Sequence, residues 1–215
     1  MSARLGFASS ARLACTAIYD PIAPDSFDKV YRVGETVCGT VTISGIFYIV
    51  MQGTENVAGW IADAEVEHVT PYPVLGKLHS GFYKNLPALF AMLTPDIPER
   101  AAIVVTGHSK GAGEAVQLAA LLRIAGFIII QCVLFACPNA GDSTFATWLA
   151  DNIPGTSFRN APKILQFLGD PVPLVPIEPN VPPYPHQFIH QPPQGFRYFT
   201  GIEWHRGEHY RKAFA

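Results

Sequence analysis

Charge is scarce in this chain: Asp, Glu, Lys and Arg make up 15% of its 215 residues, and they nearly cancel at a formal net charge of -2. Without a basic surplus nothing draws it generally to a phosphate backbone, which excludes a nucleic-acid partner held by electrostatics. Long hydrophobic runs are missing too. A transmembrane helix needs about 18 apolar residues, and the longest run, around Gly126 to Cys137, is interrupted by Gln131 and reads as a buried strand. Only four cysteines occur (Cys15, Cys38, Cys132 and Cys137), without the close pairs of a metal site or the density of a disulfide framework. Cys132 and Cys137 lie in or beside the apolar run, where a buried thiol is expected. The first residues carry no convincing secretory signal, because Arg12 breaks any apolar core there. Compartment and oligomeric state are left open.

What is present is apolar and ordered: 49% of the residues are hydrophobic, which excludes disorder and predicts a largely buried sheet. There is no repeat and no linker, so residues 1–215 are expected to form one domain. Two β-rich runs lie between Thr36 and Gln52, broken near Ser44-Gly45 like a hairpin. Val57, Trp60, Ile61 and Ala64 recur at helical spacing behind Thr54, a suitable N-cap. Another helix is predicted over Gly81 to Leu93, despite Pro87. A short apolar strand ends at Thr106, and an Ala- and Leu-rich helix runs to about Ile124. Strands over Ile128–Ala136 and Lys163–Leu168, a helix over Ser143–Asp151, and a last short strand at Phe196–Phe199 complete the reading. Strand alternating with helix predicts an α/β fold whose parallel sheet is covered on both faces. Pro171 to Pro193 is so rich in proline that it reads as a surface excursion.

The most informative segment is Gly107-His108-Ser109-Lys110-Gly111. A sharp turn from strand into helix needs small residues on either side of its serine, since a Cβ there would strike neighbouring backbone. Such a turn lifts the Ser109 hydroxyl clear of the sheet and aims the positive end of the next helix at it. The Lys110 amide, unused at that helix start, can hold an oxyanion. A phosphate loop is excluded, since the Gly-Lys-Ser/Thr ending is lacking. The His108 side chain is expected to turn away from Ser109 into the packing behind the bend, and His68 and His79 are expected to be structural.

The surrounding motifs resemble those of the class 3 (fungal-type) lipases. Thr106-Gly107-His108-Ser109-Lys110-Gly111-Ala112-Gly113 is similar to that family's nucleophile segment. Gln52-Gly53-Thr54 with Trp60-Ile61-Ala62-Asp63, then His79-Ser80-Gly81-Phe82-Tyr83, then Gly169-Asp170-Pro171-Val172-Pro173 with Pro176, follow the family's order from about residue 45 onward. The resemblance implies an α/β-hydrolase fold, with a central mostly parallel sheet flanked by helices. It implies Ser109 as nucleophile, Asp170 as acid, and Thr54 as the second oxyanion donor beside Lys110. The segment from Glu55 falls where the family often carries a lid. Gln52 and Lys110 depart from the usual arginine and leucine, and Lys110 puts a cation next to the nucleophile.

Chain order alone narrows the acid and leaves the base open. The triad of this architecture runs serine, acid, histidine. Asp142, Asp151, Asp170, Glu178 and Glu203 all follow Ser109, and Asp170 stands out because it follows the apolar Ile164–Leu168 stretch. His186, His190, His205 and His209 are all late enough to be the base. His205, with Tyr210 and Ala213, resembles the His-x-x-x-x-Tyr-x-x-Ala ending of bacterial members of the family; His209 is the alternative. Trp60, Phe82, Tyr83, Leu174, Val175 and Ile177 are candidates for an acyl groove.

The expected activity is carboxylic ester hydrolysis through an acyl-enzyme, with an ester or lipid substrate met at a lipid–water interface or in solution. It calls for no metal or organic cofactor. Short-chain esterase, phospholipase A-type hydrolase and a catalytically silent binding protein of the same fold are the alternatives.

Overall fold

A computed structural model describes residues 2–19, 26–54, 67–162, 169–175, 180–190 and 201–215. Its centre is a seven-stranded sheet. The strands are β1 (Lys29–Val33), β2 (Thr36–Ile43), β3 (Ile46–Met51), β4 (Ala102–His108), β5 (Ile129–Phe135), β6 (Gly155–Asn160) and β7 (His186–Ile189), adjacent in that order. β3 to β7 run parallel, and β2 is antiparallel to both its neighbours. The predicted hairpin is β2–β3: Ser44 (φ 51°) and Gly45 (φ 78°) form its two-residue turn, with φ positive at both positions as the strand twist favours.

Alternation along the central strands sorts side chains to the two faces. Ile49, Met51, Ile103, Val105, Cys132 and Leu134 face a core closed by α3 (Lys110–Ile124), α2 (Leu86–Leu93) and α4 (Ser143–Asn152). Tyr48, Val50, Val104, Val133 and Phe135 face the other way, towards α1 (Ser2–Cys15) and Tyr210 of α5 (Gly207–Ala213). α3 is buried almost all round, and each fully buried leucine on it, such as Leu118, is worth about 2 kcal/mol. All four cysteines are free and buried, Cys15 on α1 and the others in the opposite core. No helix among the described residues is long and apolar enough to cross a membrane.

Several expectations change. The helix predicted over Gly81–Leu93 is split into a single turn, Ser80–Tyr83, and α2, because Pro87 sits in the first turn of α2, where a missing N–H costs nothing. The proline-rich stretch is not wholly an excursion: His186–Ile189 forms β7 and pairs with β6 at the sheet edge, where proline-flanked strands are tolerated. α1, β1 and β6 were not anticipated. The predicted elements at Glu55–Glu65, Lys163–Leu168 and Phe196–Phe199, with Trp60 and Ile177, lie outside the described residues.

Candidate active site

The turn between β4 and α3 has the geometry its glycines require. A Cβ on Gly107 would lie 2.3 Å from the Gly111 carbonyl oxygen, and one on Gly111 would lie 2.5 Å from the Met51 carbonyl oxygen. Ser109 between them adopts φ 60° and ψ -134°, a backbone state few non-glycine residues take and one typical of functional turns. The Ser109 hydroxyl at this turn is fully buried, and its Oγ has no hydrogen-bond partner. The chain from β3 presses on this turn, for a Cβ on Gly53 would come within 3.1 Å of the Ser109 Cβ. Thr54 follows directly and is half-buried.

Lys110 opens α3, so its amide belongs to the first turn, which a helix leaves without an internal acceptor. Its side chain does not stand as a free cation beside Ser109. Nζ donates to Oε1 of Glu114, one helical turn on, at 2.9 Å, and both residues are buried. The same oxygen accepts from Thr36 Oγ1 at 2.8 Å, and Asn85 Nδ2 donates to that Thr36 oxygen at 3.2 Å. Burial pushes the Glu114 carboxyl upward, while Lys110 and Thr36 oppose the shift.

Asp170 is fully buried and heavily hydrogen-bonded. Nδ1 of His205 lies 2.9 Å from its Oδ2 and 3.0 Å from its Oδ1. Tyr210 Oη donates to Oδ2 at 2.5 Å, and the Val172 amide donates to Oδ1 at 3.0 Å. Burial alone would raise this carboxyl, but its electrostatic coupling to the His205 ring and these hydrogen bonds outweigh it and hold it below the ordinary range. The ionised carboxylate makes His205 Nδ1 the protonated nitrogen. That leaves Nε2 with a lone pair, buried and without a partner. His205 packs on His108, the residue before Ser109, with ring centroids 4.7 Å apart.

Asn160, at the end of β6, organises these segments. Its carbonyl accepts from the Asp170 amide at 2.8 Å, its own amide donates to Tyr210 Oη at 3.0 Å, and its Nδ2 donates to the Trp204 carbonyl at 3.1 Å. Arg159 Nε donates to the Asp170 carbonyl at 2.9 Å. The start of α5 is seated by a close approach: a Cβ on Gly207 would lie 2.5 Å from the Cys15 carbonyl of α1.

The structure therefore brings Asp170 and His205 together next to the turn that carries Ser109. His209 is buried on α5, and no hydrogen bond joins it to Asp170. Asn160, Arg159 and Tyr19 were not singled out from the sequence, and no local motif marks them. Of the groove candidates, Phe82 is core and Leu174 is exposed. Tyr83 lines a cleft with Tyr72, Pro87, Phe90, Leu121 and Ile124. That cleft lies at the C-terminal end of α3, about 20 Å along the helix from Ser109, so it is separate from this site. Among the described residues no His, Cys, Asp and Glu cluster could hold a metal ion.

The sequence profile of the family described as Lipase (class 3) matches residues 48–179. The secreted mono- and diacylglycerol lipase A of Penicillium cyclopium is 28% identical over 136 residues, which is 60% of this chain and 42% of that protein. The match thus spans less than half the length of that relative. Lipase II from Rhizopus niveus superposes with a TM-score of 0.74 at 20% identity, covering 87% of this chain and 81% of that one. The lipase of Rhizopus microsporus var. chinensis gives 0.75 at 19% identity, covering 87% and 75%. At such identities the likeness establishes the α/β-hydrolase fold.

Proposed function

The chain belongs to the class 3 lipase family, and from that premise we propose that it is a serine carboxylic ester hydrolase acting on acylglycerols. One observation carries the reading. The Asp170 carboxylate accepts a hydrogen bond from Nδ1 of a buried His205, which leaves Nε2 as an unsatisfied acceptor next to the turn bearing the unsatisfied Ser109 hydroxyl.

In this reaction Nε2 removes the Ser109 proton as Oγ attacks the ester carbonyl, and Asp170 stabilises the resulting imidazolium. The Thr54 and Lys110 amides hold the oxyanion, where loss of one donor typically costs about 100- to 1,000-fold in rate. The tetrahedral intermediate collapses to an acyl-enzyme as His205 returns the proton to the departing alcohol. Water, deprotonated by the same ring, then releases the acid. The Penicillium relative's name puts mono- and diacylglycerols first among substrates. Because Ser109 is fully covered, the cover must move before an ester can reach it, which favours substrate presented at a lipid–water interface.

The test is hydrolysis of diacylglycerol and of p-nitrophenyl butyrate by the purified chain and by Ser109→Ala. The variant should lose at least about 1,000-fold while its circular dichroism is unchanged, and retention of most activity refutes the assignment. A rate jump above the solubility limit of the ester supports a lipase; its absence supports a soluble-ester esterase.

A further inference from the structure

We propose that Tyr19 is a positioning residue, whose one hydroxyl sets both the oxyanion loop and the backbone of the base. The inference rests on the hydrolase reading above. Tyr19 ends the short 3-10 turn Ala17–Tyr19 after α1, outside the span matched by the family profile. Its Oη lies 2.9 Å from the Gly53 amide nitrogen and 3.2 Å from Nδ1 of His108. Across that ring, Nε2 lies 2.9 Å from the His205 carbonyl oxygen.

The hydrogens in this chain have one consistent arrangement. A carbonyl oxygen can only accept, so Nε2 of His108 carries the hydrogen. Burial, aided by the neighbouring His205 ring, lowers the His108 pKa to about 3, so the ring is neutral at ordinary pH and Nδ1 keeps a lone pair. Tyr19 must then donate to Nδ1, and its oxygen accepts from Gly53. The order is Gly53 N–H to Tyr19 O–H to His108 to His205 C=O. The arrangement admits no side chain at position 53, where a Cβ would sit 2.4 Å from both Tyr19 Oη and the His108 carbonyl.

Both ends of the chain bear on the chemistry. Gly53 fixes the peptide leading into Thr54, the proposed oxyanion donor. The His205 carbonyl anchors the backbone of the proposed base, whose ring stacks on His108 at 4.7 Å. A neutral His108 there does not oppose the imidazolium that His205 becomes as Ser109 attacks. Removing the Tyr19 hydroxyl frees the Gly53 amide and unbraces the His108 ring that holds the His205 carbonyl.

Tyr19→Phe, assayed with p-nitrophenyl butyrate, should lower kcat about 10- to 100-fold with KM within twofold, and should weaken a boronic-acid transition-state analogue by the same factor. A double-mutant cycle with His108→Phe should be non-additive, the pair no slower than the slower single variant. Unchanged kcat, or an additive pair, overturns the proposal. Histidine 15N shifts of the unaltered protein give a second reading that needs no variant. A neutral His108 with hydrogen on Nε2 from pH 5 to 8 is expected; the other tautomer or an imidazolium overturns the proposal. Ser109→Ala, run in parallel, separates the two ideas: if it stays active the hydrolase reading fails, whereas a dead Ser109→Ala beside a fully active Tyr19→Phe removes only the positioning role.

Discussion

Tyr210→Phe removes one oxygen and breaks two buried hydrogen bonds, to Asp170 at 2.5 Å and from the Asn160 amide at 3.0 Å. A hydrogen bond to a buried carboxylate is worth about 1.5–3 kcal/mol, and an orphaned buried amide costs about 1–3 kcal/mol. Relief of hydroxyl burial offsets part of this, so a loss of about 3 kcal/mol is expected at pH 7. The loss should depend on pH in a defined direction. Asp170 has a lowered folded pKa, burial opposing and the coupling to His205 and the hydrogen bonds prevailing. Its ionisation therefore contributes stability that is complete above the ordinary carboxylate value near pH 4 and drains away as pH falls through the folded value. Without the Tyr210 donor the folded pKa rises, leaving less of this contribution to lose. The gap between the two proteins should thus be widest near pH 7 and narrow towards pH 3. Urea unfolding followed by circular dichroism at pH 7, 5 and 3 measures it. A gap that is flat with pH, or below about 0.5 kcal/mol at pH 7, refutes the reasoning.

Other variants separate neighbouring roles. His205→Ala should cut ester hydrolysis at least about 1,000-fold, and His209→Ala should stay within threefold; steady-state kinetics of both decide, and the reverse order would move the base to α5. Glu114→Gln leaves the buried Lys110 ammonium without its counter-ion and should cost about 3–5 kcal/mol in chemical denaturation, whereas Lys110→Leu combined with Glu114→Leu should recover most of it. Gly107→Ala drives a Cβ to 2.3 Å from a backbone oxygen and should cost about 3 kcal/mol or more; thermal melting that matches the parent would show that the turn relaxes.

Legibility in the sequence followed local pattern. β3, β4 and β5 are near-continuous apolar runs, and α3 begins at a glycine-flanked serine, so periodicity and turn chemistry were enough. β6 reads Gly-Thr-Ser-Phe-Arg-Asn and looks like a loop, because its buried Ser157, Arg159 and Asn160 bond to partners farther along the chain. β7 was hidden by the prolines around it, and α1 by its small and polar residues. At the site, Ser109, Asp170 and His205 stand in motifs. Tyr19 and Asn160 do not, since a hydrogen bond from Tyr19 to Gly53, or from Asn160 to Trp204, leaves no trace in local spacing. The burial of Ser109 was equally invisible, because what shields a residue is a property of the assembled chain.

The four free thiols report on the fold in another way. Burial pushes each of them upward in pKa, so little thiolate forms and an alkylating reagent finds almost nothing to attack in the folded protein. Cys38 sits on β2, Cys132 on β5, Cys137 just beyond it, and Cys15 at the end of the helix against which Gly207 is seated. Each becomes modifiable only when its own layer comes apart. Pulsed iodoacetamide with mass spectrometry would then time the release of the α1–α5 side separately from the rupture of the sheet, using clocks already built into the chain.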